Sequence, residues 1–204
     1  NRLTSNARVY RTLLISNLVK HRLLNEGYIS YSDVCPDGGT YEDNLINAVE
    51  CHLITSELAN EANYYISQAP LPLRIDYQGT DLIPNHSFLL SAVEQTQESF
   101  CYIVTETCFW ERKKHLTEKI FKPIVSKMPF ILVGPAHNLK YLREYGFKTF
   151  SKWINEGYDD IEDPIERMTA IGVTMSDICS RSLDELQDML LDMEEVLEHN
   201  HNLF

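Results

Sequence analysis

Thr117-Glu118-Lys119 stands where an apolar-periodic segment begins, and it is the triplet with the most chemistry in it. A helix start presents backbone N–H groups and a partial positive charge, which together suit a phosphate. A lysine in that first turn is disfavoured by the helix dipole. A phosphate ligand would offset the repulsion, so Lys119 reads as a diphosphate clamp. Glu118 beside it could accept hydrogen bonds from a ribose diol. An ordinary capped helix with an exposed Glu and Lys has the same sequence. The basic run Arg112-Lys113-Lys114-His115 just ahead could gather an anion at a crevice mouth or could simply be solvated. Near the amino end, Ser5-Asn6 precede Arg8 and Arg11. Arginine pairs bidentately with phosphate, though one on a solvent-facing helix needs no ligand.

These residues need a scaffold, and the hydrophobic pattern supplies one. Helices are expected over 8–25, stopped by Gly27, and over 41–66. A short strand is expected at 28–32, a turn around Pro36-Asp37-Gly38-Gly39, and an irregular crossing over 67–84. A helix over 84–96 leads into a strand at 100–105, followed by a polar loop over 106–116 and a helix from Thr117 to about Lys127. The run Pro129-Phe130-Ile131-Leu132-Val133, closed by Gly134-Pro135, has the profile of an interior parallel strand. A short helix over 138–145 ends at Gly146, and Lys148-Thr149-Phe150 is expected as an edge strand. Two helices follow from Pro164 to about His199, separated near Ser180–Ser182, with Ser182 and Glu185 forming a capping box. The alternation predicts an α/β chain with a Rossmann-like open parallel sheet and a helical C-terminal extension. Residues 1–160 form the expected binding domain, with the helices of 161–204 packed on it. Ligands of such sheets sit outside the carboxyl ends of the strands, where Glu106, Thr117, Glu118, Lys119 and Gly134 all fall.

Composition narrows the function. The 204 residues carry 18 Lys plus Arg against 30 Asp plus Glu, a formal charge of −12 that repels a phosphate backbone and makes nucleic acid an unexpected partner. No apolar run is long enough to span a bilayer, and no signal-like core follows Asn1-Arg2, so a cytoplasmic protein without a membrane partner is expected. The five cysteines lack a CxxC pair and read as reduced thiols; no zinc-ligand cluster, phosphate-binding GxxxxGK[ST] loop, GxSxG elbow or HExxH pair is present. His199-Asn200-His201 reads as a terminus rather than a metal site.

The stretch FCYIVTETCFWERKKHLTEKIFKPIVSKMPFILVGPA, Phe100–Ala136, resembles the donor-binding motif of α1,3-fucosyltransferases: an apolar strand ending in Glu, a loop, a TEK helix start, then a Pro-led strand ending in Gly. LTSNARVYRTLLISNL, at Leu3–Leu18, resembles their upstream helix. GFKTF at Gly146–Phe150 and NEGYDDI at Asn155–Ile161 resemble glycosyltransferase-like proteins of tailed phages, which implies a viral chain in the host cytoplasm or a virion. The fucosyltransferase resemblance implies the donor domain of a GT-B glycosyltransferase that binds a GDP- or UDP-sugar and transfers it with inversion. No metal or other cofactor is expected, because basic side chains stabilise the leaving diphosphate. It implies that Arg11 and Lys119 neutralise that diphosphate, that Glu118 holds the ribose, and that Glu106 lies beside the nucleotide or sugar. With so little chain before Ser5, an acceptor domain and its general base are expected to be absent, which leaves the catalytic residues and the acceptor unassigned. The alternative is a non-catalytic structural or interaction protein, such as a virion component, on the same scaffold. A homo-oligomer or virion assembly fits either reading.

Overall fold

The computed structural model describes residues 8–32, 39–73 and 93–204. Ser5-Asn6, the Pro36–Gly38 turn, and most of the crossing and helix expected over 67–96 lie outside the described residues. The chain divides into two compact units, one of residues 1–78 with 108–110 and one of 79–107 with 111–204.

The first unit holds α1 (Tyr10–Lys20), α2 (Tyr41–Glu50) and α3 (Ser56–Ile66). Leu13, Leu14, Leu18, Leu45, Ala48, Ala62 and Ile66 fill its core, and α1 is buried on most sides. The 106–116 loop is not wholly polar, for its Phe109 is fully buried in this unit and stacks on Tyr10 with centroids 4.9 Å apart. Instead of a strand over 28–32, one antiparallel bridge joins Tyr31 to Leu73.

The limits of the first two expected helices differ from the sequence expectation for one physical reason, which also ends α5 (Glu118–Val125). Arg22, His52 and Lys127 adopt positive φ of 60°, 56° and 51° at helix ends. In each case the next residue reaches back to close the turn, with Leu23 N–H to Leu18 O, Leu53 N–H to Ala48 O, and Met128 N–H to Pro123 O. These are Schellman closures, which usually place glycine at the left-handed position. The first helix therefore stops at Lys20 rather than near Gly27, and the helix expected over 41–66 is two helices. Thr55 caps the second, its hydroxyl accepting from Leu58 N–H at 3.2 Å.

The second unit is a mixed α/β structure around a small parallel sheet. After α4 (Val93–Gln97) come β1 (Tyr102–Thr105), α5 (Glu118–Val125), β2 (Phe130–Val133) and α6 (Asn138–Glu144). The strands pair in parallel with Tyr102 opposite Phe130 and Thr105 opposite Val133. Parallel neighbours need a crossover, and α5 provides it. Every residue of β2 is buried. Ile120 and Ile124 of α5, Leu139 and Leu142 of α6, and Ile171 belong to the same core.

Among the described residues the sheet has two strands, not the wider open sheet expected. Lys148–Phe150 is not a strand. The Asn200 side chain takes both backbone groups of Lys148, accepting from its N–H at 2.8 Å and donating to its C=O at 2.9 Å, while Phe150 N–H donates to Glu156 Oε1 at 2.5 Å. Side chains thus satisfy backbone groups that a strand would pair. The Leu132 N–H likewise donates to the Tyr158 hydroxyl at 3.1 Å, and burial pushes that phenol's pKa upward.

A 3-10 turn at 157–160 leads to α7 (Pro164–Cys179), capped by Asp163 with Pro164 in the first turn. The Ser182–Glu185 capping box starts α8 (Leu183–Asp192), as the sequence indicates. The tail then breaks once more: Met193 ends α8 and precedes α9 (Glu194–Leu203), giving three helices where two are expected.

Candidate functional site

Glu106 follows β1 directly, and its N–H extends the ladder to Val133 O at 2.9 Å. Its side chain is fully buried, and each oxygen has donors. Oε1 accepts from Thr117 N–H at 3.1 Å; Oε2 accepts from the Thr117 hydroxyl at 2.6 Å and from Thr107 N–H at 3.3 Å. Glu106 therefore ties the start of α5 to the end of β1. Gly134 follows β2 and lies against this carboxylate arm: a Cβ there would stand 3.6 Å from Glu106 Cβ and Cγ.

Because the Thr117 hydroxyl gives its proton to Glu106, its lone pairs are left to accept. They receive Lys119 N–H at 3.5 Å, which caps α5, and the Lys119 ammonium at 3.0 Å. The ammonium also donates to Thr107 Oγ1 at 3.2 Å and Glu118 Oε1 at 2.9 Å. Lys119 and Glu118 side chains are 16% and 25% exposed, so this pair is shielded without being sealed. Burial alone would raise the Glu118 pKa. Hydrogen bonds from Lys119, from its own N–H and from Thr117, with the ammonium charge, outweigh burial and hold the carboxyl below the usual range.

The structure thus brings Glu106, Thr117, Glu118, Lys119 and Gly134 to the carboxyl end of the parallel strands. Arg11 belongs to the first unit. It is buried there, with Nε donating to the Tyr10 hydroxyl at 3.0 Å and the guanidinium 5.5 Å from the Tyr10 ring centroid. Of the basic run, Arg112 pairs with Glu162 at 2.8 Å, and Lys114 pairs with Glu144. No family model, curated protein or solved structure matches this chain.

Four further residues build the same rim; Thr107, next to Glu106, was placed there by the sequence without a role, and the other three were missed. Thr107 supplies a hydroxyl to Lys119. Buried Asn138 accepts from His115 N–H at 2.9 Å and donates to Pro135 O at 2.9 Å, joining the loop before α5 to the turn after β2. Asp159 sits over the start of α6, accepting from Leu139 N–H at 3.0 Å and Lys140 N–H at 3.1 Å. Burial raises its pKa against those two amides. Arg167, also buried, donates to Gly134 O at 3.2 Å, Ile161 O at 2.7 Å and Glu162 O at 3.0 Å. Thr107, just past β1, and Asn138, at the start of a short helix, stood near a visible signal. The others act across long stretches of chain.

Among the described residues, no group of three or more His, Cys, Asp or Glu is placed to hold a metal, and no helix is long and apolar enough to cross a membrane.

Proposed function

We propose that the end of the second unit at Thr117–Lys119 is the donor site of a glycosyltransferase-like protein, taking the diphosphate of a GDP- or UDP-sugar. The observation that carries this reading is the Lys119 ammonium, placed in the first turn of α5 against the unfavourable end of the helix dipole. A diphosphate there would meet the ammonium and the helix start together. Glu118, held ionised beside it, is suited to a ribose diol. Glu106 takes a different role from the one the resemblance implies: its oxygens hold Thr117 and Thr107, so it positions the cap rather than the sugar. Arg11 is not needed for this reading. The Rossmann-like, GT-B donor architecture is part of the same proposal, supported by the parallel β1–α5–β2 unit and the TEK motif.

The test is calorimetry with GDP, UDP and their sugar conjugates, with and without a chelator. One of these ligands should bind with the chelator present, and Lys119→Ala should weaken it by at least about tenfold, the loss of one charge-assisted contact. Binding that ignores Lys119→Ala overturns the donor reading.

One observation favours the second reading, a non-catalytic scaffold: the three hydrogens of the Lys119 ammonium already have three acceptors within the chain. On that reading no nucleotide binds, and Lys119→Ala lowers stability instead.

A further inference from the structure

At the other end of the strands, Phe100 and Pro129 lead towards β1 and β2. They line a cavity of about 420 Å³ with Val125, Met128 and Leu190 on its apolar side and Ser126 and Lys127 among its polar half. That volume lies within the range of ligand-holding pockets. Leu190 connects the cavity to α8, whose sequence LDELQDMLLD contains four leucines, none of them buried. Leu183 is 84% exposed, Leu191 64% and Leu190 38%. At about 100° per residue, Met189, Leu186, Leu190, Leu183 and Leu191 occupy one arc interrupted only by Gln187. Only the Met189 end of that arc is buried. The apolar face of α8 is wider than its contact with the core, and the surplus borders a cavity of mixed lining in which Lys127 is paired with Glu198. An exposed apolar arc beside a cavity is the kind of surface that a partner can cover.

Charge decides what fits it. The rest of α8 is Asp184, Glu185, Asp188 and Asp192, with no Lys or Arg. Asp192 is engaged by Lys152 and Trp153, and Glu185 by Ser182. Asp184 and Asp188 form no ion pair among the described residues. A second copy would bring the same acidic arc and another −12 of formal charge against it. Anionic lipid and nucleic acid meet the same repulsion.

We infer that the α8 face and its cavity dock a partner segment that is both apolar and basic. An apolar side chain enters the cavity lined by Phe100, Met128 and Leu190, its neighbours cover Leu183 and Leu191, and Lys or Arg residues face Asp184 and Asp188. This is the helix-in-groove mode, in which apolar anchors supply affinity and charge supplies orientation. The inference is independent of the donor reading, since it uses none of the residues near Lys119.

Three labelled peptides of about 16 residues, long enough to form a helix, test it by fluorescence anisotropy with the full chain. One alternates Leu and Lys at helical spacing, one replaces Leu by Ser, and one replaces Lys by Glu. The Leu/Lys peptide should bind about tenfold or more tighter than either control and weaken with added salt. The double variant Leu183→Ser/Leu191→Ser should weaken it about tenfold, and Asp184→Asn/Asp188→Asn should flatten its salt dependence. Both variants alter exposed positions, and circular dichroism checks that each remains folded. Equal binding of the Ser/Lys peptide, or binding unchanged in both variants, overturns the inference. A concentration-dependent dimer that the leucine variant abolishes, with no peptide binding, assigns the face to a second copy and overturns it as well.

Discussion

Helices α5 and α6 both leave the same end of one parallel sheet, yet their first turns are completed by different means. At α6, the Asp159 carboxylate arrives from twenty residues downstream and takes the amides of Leu139 and Lys140. The anion-binding capacity of that helix start is used up inside the fold. At α5, the cap is the neighbouring Thr117 hydroxyl, itself held by the buried Glu106 carboxylate, and Glu118 and Lys119 of the helix add the other charges. The first arrangement is buried and serves stability. The second is shielded but reachable, and its cation is held by contacts that a stronger anion can exchange. On the donor-site proposal, two comparable helix starts are divided between structure and ligand binding. The difference lies in whether the carboxylate from elsewhere takes the first-turn amides itself, as Asp159 does, or acts through the capping hydroxyl, as Glu106 does.

The largest expected effect is at the closed end. Asp159→Ala leaves two amides at the start of α6 without acceptors and should cost about 2–4 kcal/mol, read from urea unfolding. A loss below about 0.5 kcal/mol would show that Asp159 does not close α6. Next comes Glu106→Ala, at about 1–3 kcal/mol, smaller because water can reach half-buried Thr107 and Thr117. Its signature is that it should also weaken any diphosphate binding, since it frees the cap that seats Lys119. Thr117→Ala should cost about 1 kcal/mol, the usual value of an N-cap, with Thr117→Ser restoring most of it. Equal losses for both variants would assign the effect to the methyl group instead.

The smallest effect is a difference in sign with pH. The Glu118 carboxyl is held below its ordinary 4.5, so the folded state binds its proton less readily than the unfolded chain. Its contribution is fully present above pH 4.5 and is lost as pH falls through the lower folded value. The stability gap between the native chain and Glu118→Gln should stay flat from neutral pH to about 5 and shrink below 4.5. Asp159 runs the other way. Burial lifts its carboxyl above 3.8, so the folded state takes up the proton first, and its contribution rises as pH falls from the raised value towards 3.8. Parallel pH profiles for Glu118→Gln and Asp159→Asn would erase the distinction between the two helix starts.

The open end was legible in the sequence because its determinants are local. Thr117, Glu118 and Lys119 are adjacent, and a Pro-led apolar run closed by Gly134 marks β2 without reference to any other segment. The closed end was not legible, since nothing near Asp159 announces a partner twenty residues earlier. Glu106 shows both sides of this: its place after a strand was evident, but its bond to Thr117, eleven residues on, was not. Helix ends were misplaced where Arg22 and His52 occupy the left-handed position that glycine usually signals. The sheet was expected to be wider because Lys148–Phe150 has a strand's composition. Asn200, fifty-two residues away, competes for the same backbone groups and wins. The break at Met193 carries no glycine, proline or capping residue, so no pattern could have placed it.

The Tyr158 hydroxyl on Leu132 N–H has a consequence for how the molecule behaves in company. A two-stranded sheet offers every passing extended chain a row of backbone donors and acceptors to pair with. In β2, the most apolar segment of the protein, the central amide is occupied by a phenol that is itself buried to 3% exposure. A foreign strand would first have to expel that ring. In the folded chain one aromatic residue thereby blocks the addition of a foreign strand at that amide of β2.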